Sequence, residues 1–162
     1  MIQELIETKC HFSLKKGNYY IYDDNIKNKP LFLNENEKWN LLIINNSEKQ
    51  VHFFQNDGCL MKQNDLKKCD WICAFENNFY FIEAKDVKLK KRNSERKDAV
   101  EKFMCTIPYY LNLYPIIKKM QIHVIINFRS PKITSASNKA RQTYFDENYN
   151  AKYKETNRLE FI

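Results

Sequence analysis

Two short apolar segments in the middle of the chain constrain its fold more than any other feature. Cys69–Phe75 and Phe79–Lys85 are both rich in aromatic and aliphatic residues, and only a few residues separate them. Asn77 and Asn78, between the two runs, are turn formers, so the pattern predicts a β-hairpin. The chain is therefore expected to fold around a sheet that contains this hairpin.

Segments before the hairpin extend the predicted sheet. Residues 10–14, 18–22 and 51–55 read as short strands, and the turn signal Asn-Asp-Gly follows the last of them. Asn34 to Asn40 is expected to open a helix, whereas Leu41–Ile44 fits either a helix or a strand.

An amphipathic helix is predicted after the hairpin, over Ala99–Leu113. Its apolar residues recur at helical spacing, and Asn93 or Ser94 is the expected N-cap. Pro108 lies late in this segment and is expected to kink or end the helix.

The end of the chain supplies one buried strand and one edge strand. Gln121–Phe128 is almost continuously apolar, as expected of a buried strand, and Leu159–Ile162 is expected at a sheet edge. Residues 129–158 are polar and receive no assignment. The order strand, strand, strand, helix, strand predicts a mixed α/β fold in which residues 1–162 form a single domain.

Composition excludes several classes of protein. With 43% hydrophobic residues the chain is not a disordered charged polymer, and two glycines are too few for a Gly-rich phosphate loop. Met1–Leu5 has no signal-peptide character, and the longest apolar run, Leu41–Ile44, is too short to span a membrane. The cysteines form an odd, unpatterned set, so we expect a cytoplasmic protein with reduced thiols and no membrane association.

The net charge of +7 is concentrated in the second half of the chain. Residues 1–84 hold 10 Lys and Arg against 12 Asp and Glu, whereas residues 85–162 hold 17 against 8. A basic half is typical of proteins that bind a polyanion, most often nucleic acid. The same excess fits a chain that uses lysine only as a solubilising residue, so charge alone is weak support for nucleic-acid binding.

Three charged residues interrupt the apolar hairpin, and they are expected to share one face of it. Glu83 and Lys85 are two residues apart and so point to the same side of their strand. A two-residue loop at Asn77-Asn78 places Asp70 opposite Lys85, and a loop at Glu76-Asn77 places it opposite Glu83. Both registers leave the three charges together.

Two acids and an amine on one sheet face suit a particular chemistry. Carboxylate oxygens are the ligands that Mg²⁺ or Mn²⁺ prefers, and such an ion can activate water and shield a phosphodiester. Lys85 would then hold that water or stabilise negative charge. The alternative is a cross-strand ion pair between Lys85 and Asp70 or Glu83 on a solvated face.

The order of these residues resembles the PD-(D/E)xK nuclease superfamily, which has the restriction-endonuclease-like fold. Asp70 on one strand, Glu83-Ala84-Lys85 on the next and a helix afterwards follow the superfamily pattern over roughly residues 51–128. The resemblance implies a central mixed sheet flanked by helices. It also implies that Asp70, Glu83 and the carbonyl of Ala84 bind the metal, and that Lys85 positions the attacking water.

The sequence also departs from resolvase-like members of this superfamily. Many of them have glycine directly after the lysine, where Asp86 stands here, and often a glutamine on the following helix, to which Lys102 is the nearest match. An early acidic residue is sometimes a further metal ligand, and Glu35 and Glu37 are candidates for that position.

A basic stretch follows the motif directly and is expected to contact the nucleic-acid backbone. Its residues are Lys88, Lys90, Lys91, Arg92, Arg96 and Lys97, with Lys102 as a further candidate. In the alternative view they are a solvated loop and helix start.

These observations predict a metal-dependent endonuclease that acts on DNA, or on RNA, in restriction, in resolution of branched DNA or in anti-phage defence. Fold analogy implies a homodimer or a subunit of a larger complex. The alternative is a weak or inactive nuclease-fold subunit that binds nucleic acid or a partner protein.

Overall fold

The computed structural model describes residues 3–24, 29–62, 65–129 and 135–162, with the side chains of the last range described from 138 onward. Within these ranges the helices are α1 (Gln3–Ile6), α2 (Arg92–Leu113) and α3 (Ser135–Tyr149). The strands within the same ranges are β1 (His11–Leu14), β2 (Gly17–Asp24), β3 (Lys29–Leu33), β4 (Leu41–Asn45), β5 (Val51–Gln55), β6 (Trp71–Phe75), β7 (Asn78–Lys85), β8 (Gln121–Phe128), β9 (Ala151–Glu155) and β10 (Arg158–Phe161). Short 3₁₀ turns over Leu89–Lys91 and Pro115–Lys119 flank α2. The fold is mixed α/β, as the sequence predicted.

Two sheets and the helices form three layers. A six-stranded sheet has the order β1-β5-β6-β7-β8-β9, and a four-stranded sheet has the order β10-β4-β2-β3. One apolar core, which includes Phe81 and Phe103, lies between the large sheet and the helices. A second core, which includes Ile43 and Ile82, lies between the two sheets. The large sheet is therefore the middle layer and is buried on both faces.

The hairpin of β6 and β7 forms in one of the two predicted registers. Trp71 pairs with Ile82, and Phe75 pairs with Asn78, so Glu76 and Asn77 form the two-residue loop. Glu76 has a φ of 51°, which a tight hairpin turn requires. This register places Asp70 opposite Glu83, just before β6 begins.

The segment before β4 differs from its sequence-based prediction. The expected helix over residues 34–40 is absent, since the described chain forms turns there, and Leu41–Asn45 is a strand. Burial alternates along β4, since Leu41 and Ile43 enter the core between the sheets while Leu42 and Ile44 remain partly exposed on the other face. Both faces of this strand carry apolar residues, so its sequence lacks the alternation that would have distinguished a strand from a helix.

Helix α2 is longer at its start than its apolar spacing predicted. It begins at Arg92, so the predicted caps Asn93 and Ser94 lie inside it, and Ser94 donates instead to the carbonyl of Lys91. Pro108 does not end the helix, which continues to Leu113. Residues 129–158, unassigned from the sequence, contribute α3 and β9 within their described part.

Cysteine pairing also corrects an expectation. Cys10 and Cys59 form a disulfide, whereas reduced thiols were expected throughout. Cys69 and Cys73 are free thiols, in agreement with that expectation, and both are buried. No helix in the described part of the chain is both long enough and apolar enough to cross a membrane.

Candidate functional site

The predicted trio of charged residues meets where β6 begins and β7 ends. Asp70 precedes β6, while Glu83 and Lys85 lie in the last three positions of β7. Each is almost fully buried, with 7%, 1% and 8% of its surface exposed. Alternation along β7 directs Glu83 and Lys85 to the side of the sheet that α2 covers, as it does for Phe81.

Asp70 is held by the backbone on both sides of its position. Its Oδ2 accepts a hydrogen bond of 2.8 Å from the backbone N–H of Ala84, and its own carbonyl accepts one of 2.9 Å from Asn56 N. The backbone of the preceding Cys69 is fixed as well, since its N–H donates to Thr106 Oγ1 on α2 over 3.0 Å. The carboxylate therefore has a defined position next to β7.

Glu83, Lys85 and residues of α2 form a network of ion pairs. Lys85 Nζ lies 2.7 Å from Asp98 Oδ2, 3.0 Å from Glu83 Oε1 and 3.2 Å from Glu95 Oε2. Lys102 Nζ lies 2.5 Å from Glu83 Oε1. Burial alone would lower the pKa of Lys85, but the charges of Glu83 and Asp98 outweigh it and raise the pKa. The pKa of Lys102 is also raised, because the charges of Glu83 and Asp70 outweigh its burial, so both lysines are cationic at neutral pH.

These groups surround a cavity of about 300 Å³ that is open to solvent at one side. The charged residues that line it are the acids Asp23, Asp70, Glu83 and Asp86 and the lysines Lys85 and Lys102. Acids outnumber lysines by four to two, although Lys38 also pairs with Asp86 at 2.8 Å. An anionic substrate would meet repulsion here unless a cation were present.

The pKa values of the two central acids are raised by burial and by this excess of negative charge. The pKa of Asp70 is raised to about 7, first by burial and then by the charge of Asp23. The pKa of Glu83 is raised to about 8, again first by burial and then by the charge of Asp70. Lys102 and Lys85 oppose both effects without cancelling them. Additional positive charge in the cavity would stabilise both carboxylates.

The chemistry of the donors fits a hard divalent cation. Mg²⁺ is commonly bound through one or two carboxylates and keeps several waters, so Asp70 and Glu83 are sufficient protein ligands. Glu83 Oε2 is buried and has no hydrogen-bond partner within the described residues, which leaves this oxygen available to a cation. Among the described residues, no three His, Cys, Asp or Glu side chains converge closely enough to enclose a metal by themselves.

Asp23 is a residue of this cavity that the sequence did not indicate. It lies on β2 of the four-stranded sheet, 47 positions before Asp70 along the chain. A neighbouring acid on a distant strand leaves no local spacing pattern, so only the packing of the two sheets could reveal it. The early acids that were considered, Glu35 and Glu37, line a separate surface depression beside Tyr20 and do not reach the cavity.

The basic stretch after β7 divides into exposed and buried residues. Lys88 directly before the 3₁₀ turn, Lys90 and Lys91 within it, and Lys97 after it are all exposed. Lys102 lines the cavity itself.

Arg92 and Arg96 are not at the surface, since each is only 5% exposed. Both guanidinium groups lie over the ring of Phe128, and Arg96 also forms a two-pronged ion pair with Glu155. Their burial argues against the predicted contacts with a nucleic-acid backbone.

Comparisons of the chain with protein-family models, with curated proteins and with solved structures give no match.

Proposed function

We propose that this chain is a metal-dependent nuclease with a restriction-endonuclease-like core, which hydrolyses phosphodiester bonds of DNA. The observation that supports this function best is the convergence of Asp70, Glu83 and Lys85 on one cavity. Three buried charges are costly to place at the junction of two apolar strands, so their presence requires compensation by pairing or by a bound cation.

In this proposal Asp70 and Glu83 hold a Mg²⁺ or Mn²⁺ ion, together with the carbonyl of Ala84. When bound, the ion would supply a water of lowered pKa and positive charge beside the scissile phosphate. Lys85 would orient the attacking water through its N–H groups, because it is cationic and fixed by Asp98 on α2. Lys102 would balance the charge of Glu83 and lies close enough to the cavity to contact a phosphate oxygen.

The exposed lysines after the site would guide the substrate. Lys88, Lys90 and Lys91 extend from Val87, which lines the cavity, so a phosphate backbone bound along them would enter the site from that side. A second copy of the chain would allow both strands of a duplex to be cut.

A second candidate function is an inactive nuclease fold that binds nucleic acid or a partner protein. The observation that favours it is the saturation of Lys85, whose amine already has three carboxylate partners. An amine in such a network must release a partner before it can hold a water molecule.

Cleavage and binding assays separate these two functions. Supercoiled plasmid, branched DNA and single-stranded RNA are incubated with Mg²⁺ or Mn²⁺, and the wild type is compared with Asp70→Ala, Glu83→Ala and Lys85→Ala. We expect the wild type to cleave DNA and each variant to lose at least a hundredfold in rate. Lys119→Ala, which removes an exposed lysine of the 3₁₀ turn before β8, outside the cavity, is the matched control and should retain activity.

The two functions give opposite results in this assay. Cleavage that persists in all three alanine variants would exclude the proposed active site. DNA binding by the wild type without cleavage of any substrate would favour the binding function instead.

A further inference from the structure

We infer that Asp23 is a third carboxylate of the cation site, contributed by the four-stranded sheet, and that Asn40 positions it. This inference rests on the proposed function, because it assigns a role toward the cation that Asp70 and Glu83 would hold. With Asp23 included, the cation site is formed by residues of both sheets rather than by the hairpin alone.

The first support is the place of Asp23 in the cavity. Asp23 lies on the wall of the same cavity as Asp70 and Glu83, at the end of β2 that reaches the large sheet. None of the hydrogen bonds and ion pairs among the described residues involves its carboxylate, although the residue is half-buried. Within the described residues, no ion pair therefore competes with a cation for this carboxylate.

The second support is the group of hydrogen bonds that fixes this part of β2. The backbone N–H of Asp23 donates to Asn40 Oδ1 over 2.8 Å. Asn40 is itself tied to the large sheet, because Asn127 Nδ2 on β8 donates to its carbonyl over 2.9 Å. Asn127 is fully buried and pairs in register with Ala84 of β7. A continuous chain of bonds thus connects Asp23 to the strand that carries Glu83.

The third support is the buried oxygen Glu83 Oε2, which has no partner within the described residues. A residue that lines the cavity thus has a buried polar atom whose bonding is incomplete among the described residues. The electrostatics agree, since the pKa of Asp23 is raised to about 6, first by burial and then by the charge of Glu83.

Asp23 is expected to act through a water molecule bound to the cation. The three acids do not converge closely enough for all of them to contact one ion directly. Mg²⁺ and Mn²⁺ keep waters in such sites, and a carboxylate that accepts a hydrogen bond from one of them orients it and adds negative charge nearby. Loss of such an outer partner typically reduces metal affinity by about 10- to 100-fold.

The test is Mn²⁺ binding by the full chain in the absence of nucleic acid, measured by isothermal titration calorimetry. Asp23→Asn keeps the shape of the side chain and removes its charge, and Asp24→Asn is the matched control on the same strand outside the cavity. We expect Asp23→Asn to weaken Mn²⁺ binding about tenfold, Asp24→Asn to change it less than twofold, and Asp70→Asn to abolish it. Circular dichroism verifies the fold, and Asp23→Ser replaces Asp23→Asn if the latter does not fold.

A double substitution tests the positioning role of Asn40. If Asn40 acts through Asp23, Asn40→Ala weakens Mn²⁺ binding alone but adds nothing in the Asp23→Asn background. A purely structural role would instead produce additive losses.

The outcomes separate this inference from the proposed function. Equal Mn²⁺ affinities of Asp23→Asn and Asp24→Asn, with binding lost in Asp70→Asn, would overturn the role of Asp23 and leave the nuclease proposal standing. Absence of Mn²⁺ binding by the wild type would overturn both.

Discussion

Individual residues of the cavity carry opposing contributions to stability and to function. Asp70 is 7% exposed and has its pKa raised to about 7, so its charged form is disfavoured when no cation is bound. The protonated form of Asp70 contributes to the stability of the fold. This contribution is complete below about pH 4, the pKa of Asp in the unfolded chain, and it is lost as the pH rises through about 7, the pKa of Asp70 in the fold. Cation-free protein is therefore expected to lose stability between about pH 4 and pH 7.

Asp70→Asn should remove part of this loss. The amide oxygen of asparagine can still accept the N–H of Ala84, while the buried charge is gone. In EDTA at pH 8 we expect the variant to be more stable than the wild type by about 2 kcal/mol, with a much smaller difference at pH 5. Urea denaturation at the two pH values measures it. A variant less stable than the wild type at pH 8 would show that the charge of Asp70 is already compensated.

The sequence predicted the residues on the hairpin but not those that meet them from elsewhere. Side chains alternate along a strand, so the shared face of Glu83 and Lys85 was readable from a spacing of two. The choice between the two registers was not readable, because both loops are compatible with the turn residues. Asp23 and Asn40 reach the cavity only through the packing of two sheets, which no local pattern encodes.

At the level of elements, α2 is attached to the C-terminal part of the chain by a buried ion pair. Arg96 donates to both oxygens of Glu155 on β9, over 2.8 Å in each of two bonds, and its guanidinium covers Phe128. The sequence placed Arg96 among surface phosphate contacts, because the side of a helix that faces the core depends on partners far along the chain. Helix α3 and β9 were also not predicted, since their polar sequences depend on that packing.

Arg96→Ala should therefore destabilise the protein rather than weaken DNA binding alone. It leaves Glu155 buried without its main partner, which typically costs about 3 kcal/mol. Lys97→Ala, at the exposed neighbouring position, should change stability by less than about 0.5 kcal/mol. Denaturant unfolding of both variants measures the difference. If the two variants are equally stable and Arg96→Ala binds DNA more weakly, Arg96 acts as a phosphate contact after all.

The whole molecule is stabilised by two cores and by one covalent link between distant segments. Hydrophobic patterning predicted most strands of the middle layer and the main helix against it. It did not predict how the strands divide between two sheets, because β1 and β2 follow each other in the chain yet belong to different sheets. The Cys10–Cys59 disulfide, across 49 positions, was likewise unreadable from cysteine spacing.

Reduction of this disulfide should lower the melting temperature. Closing a loop of this length restricts the unfolded chain and typically stabilises the fold by about 2–4 kcal/mol. We expect dithiothreitol to lower the melting temperature of the wild type by about 5 °C or more. The double variant Cys10→Ser/Cys59→Ser should melt at the lower temperature with and without reductant. If dithiothreitol leaves the melting temperature of the wild type unchanged, the disulfide contributes little to the stability of the fold.

The dependence of DNA cleavage on a divalent cation tests the central claim most directly. Protein freed of metal with EDTA and then dialysed is titrated with Mn²⁺ while the initial rate of cleavage of a labelled DNA is recorded. We predict no cleavage without the cation, a saturable rise in rate with the wild type, and no rise with Asp70→Asn. Cleavage that proceeds without a divalent cation, or an equal rise in rate for Asp70→Asn, would contradict the claim.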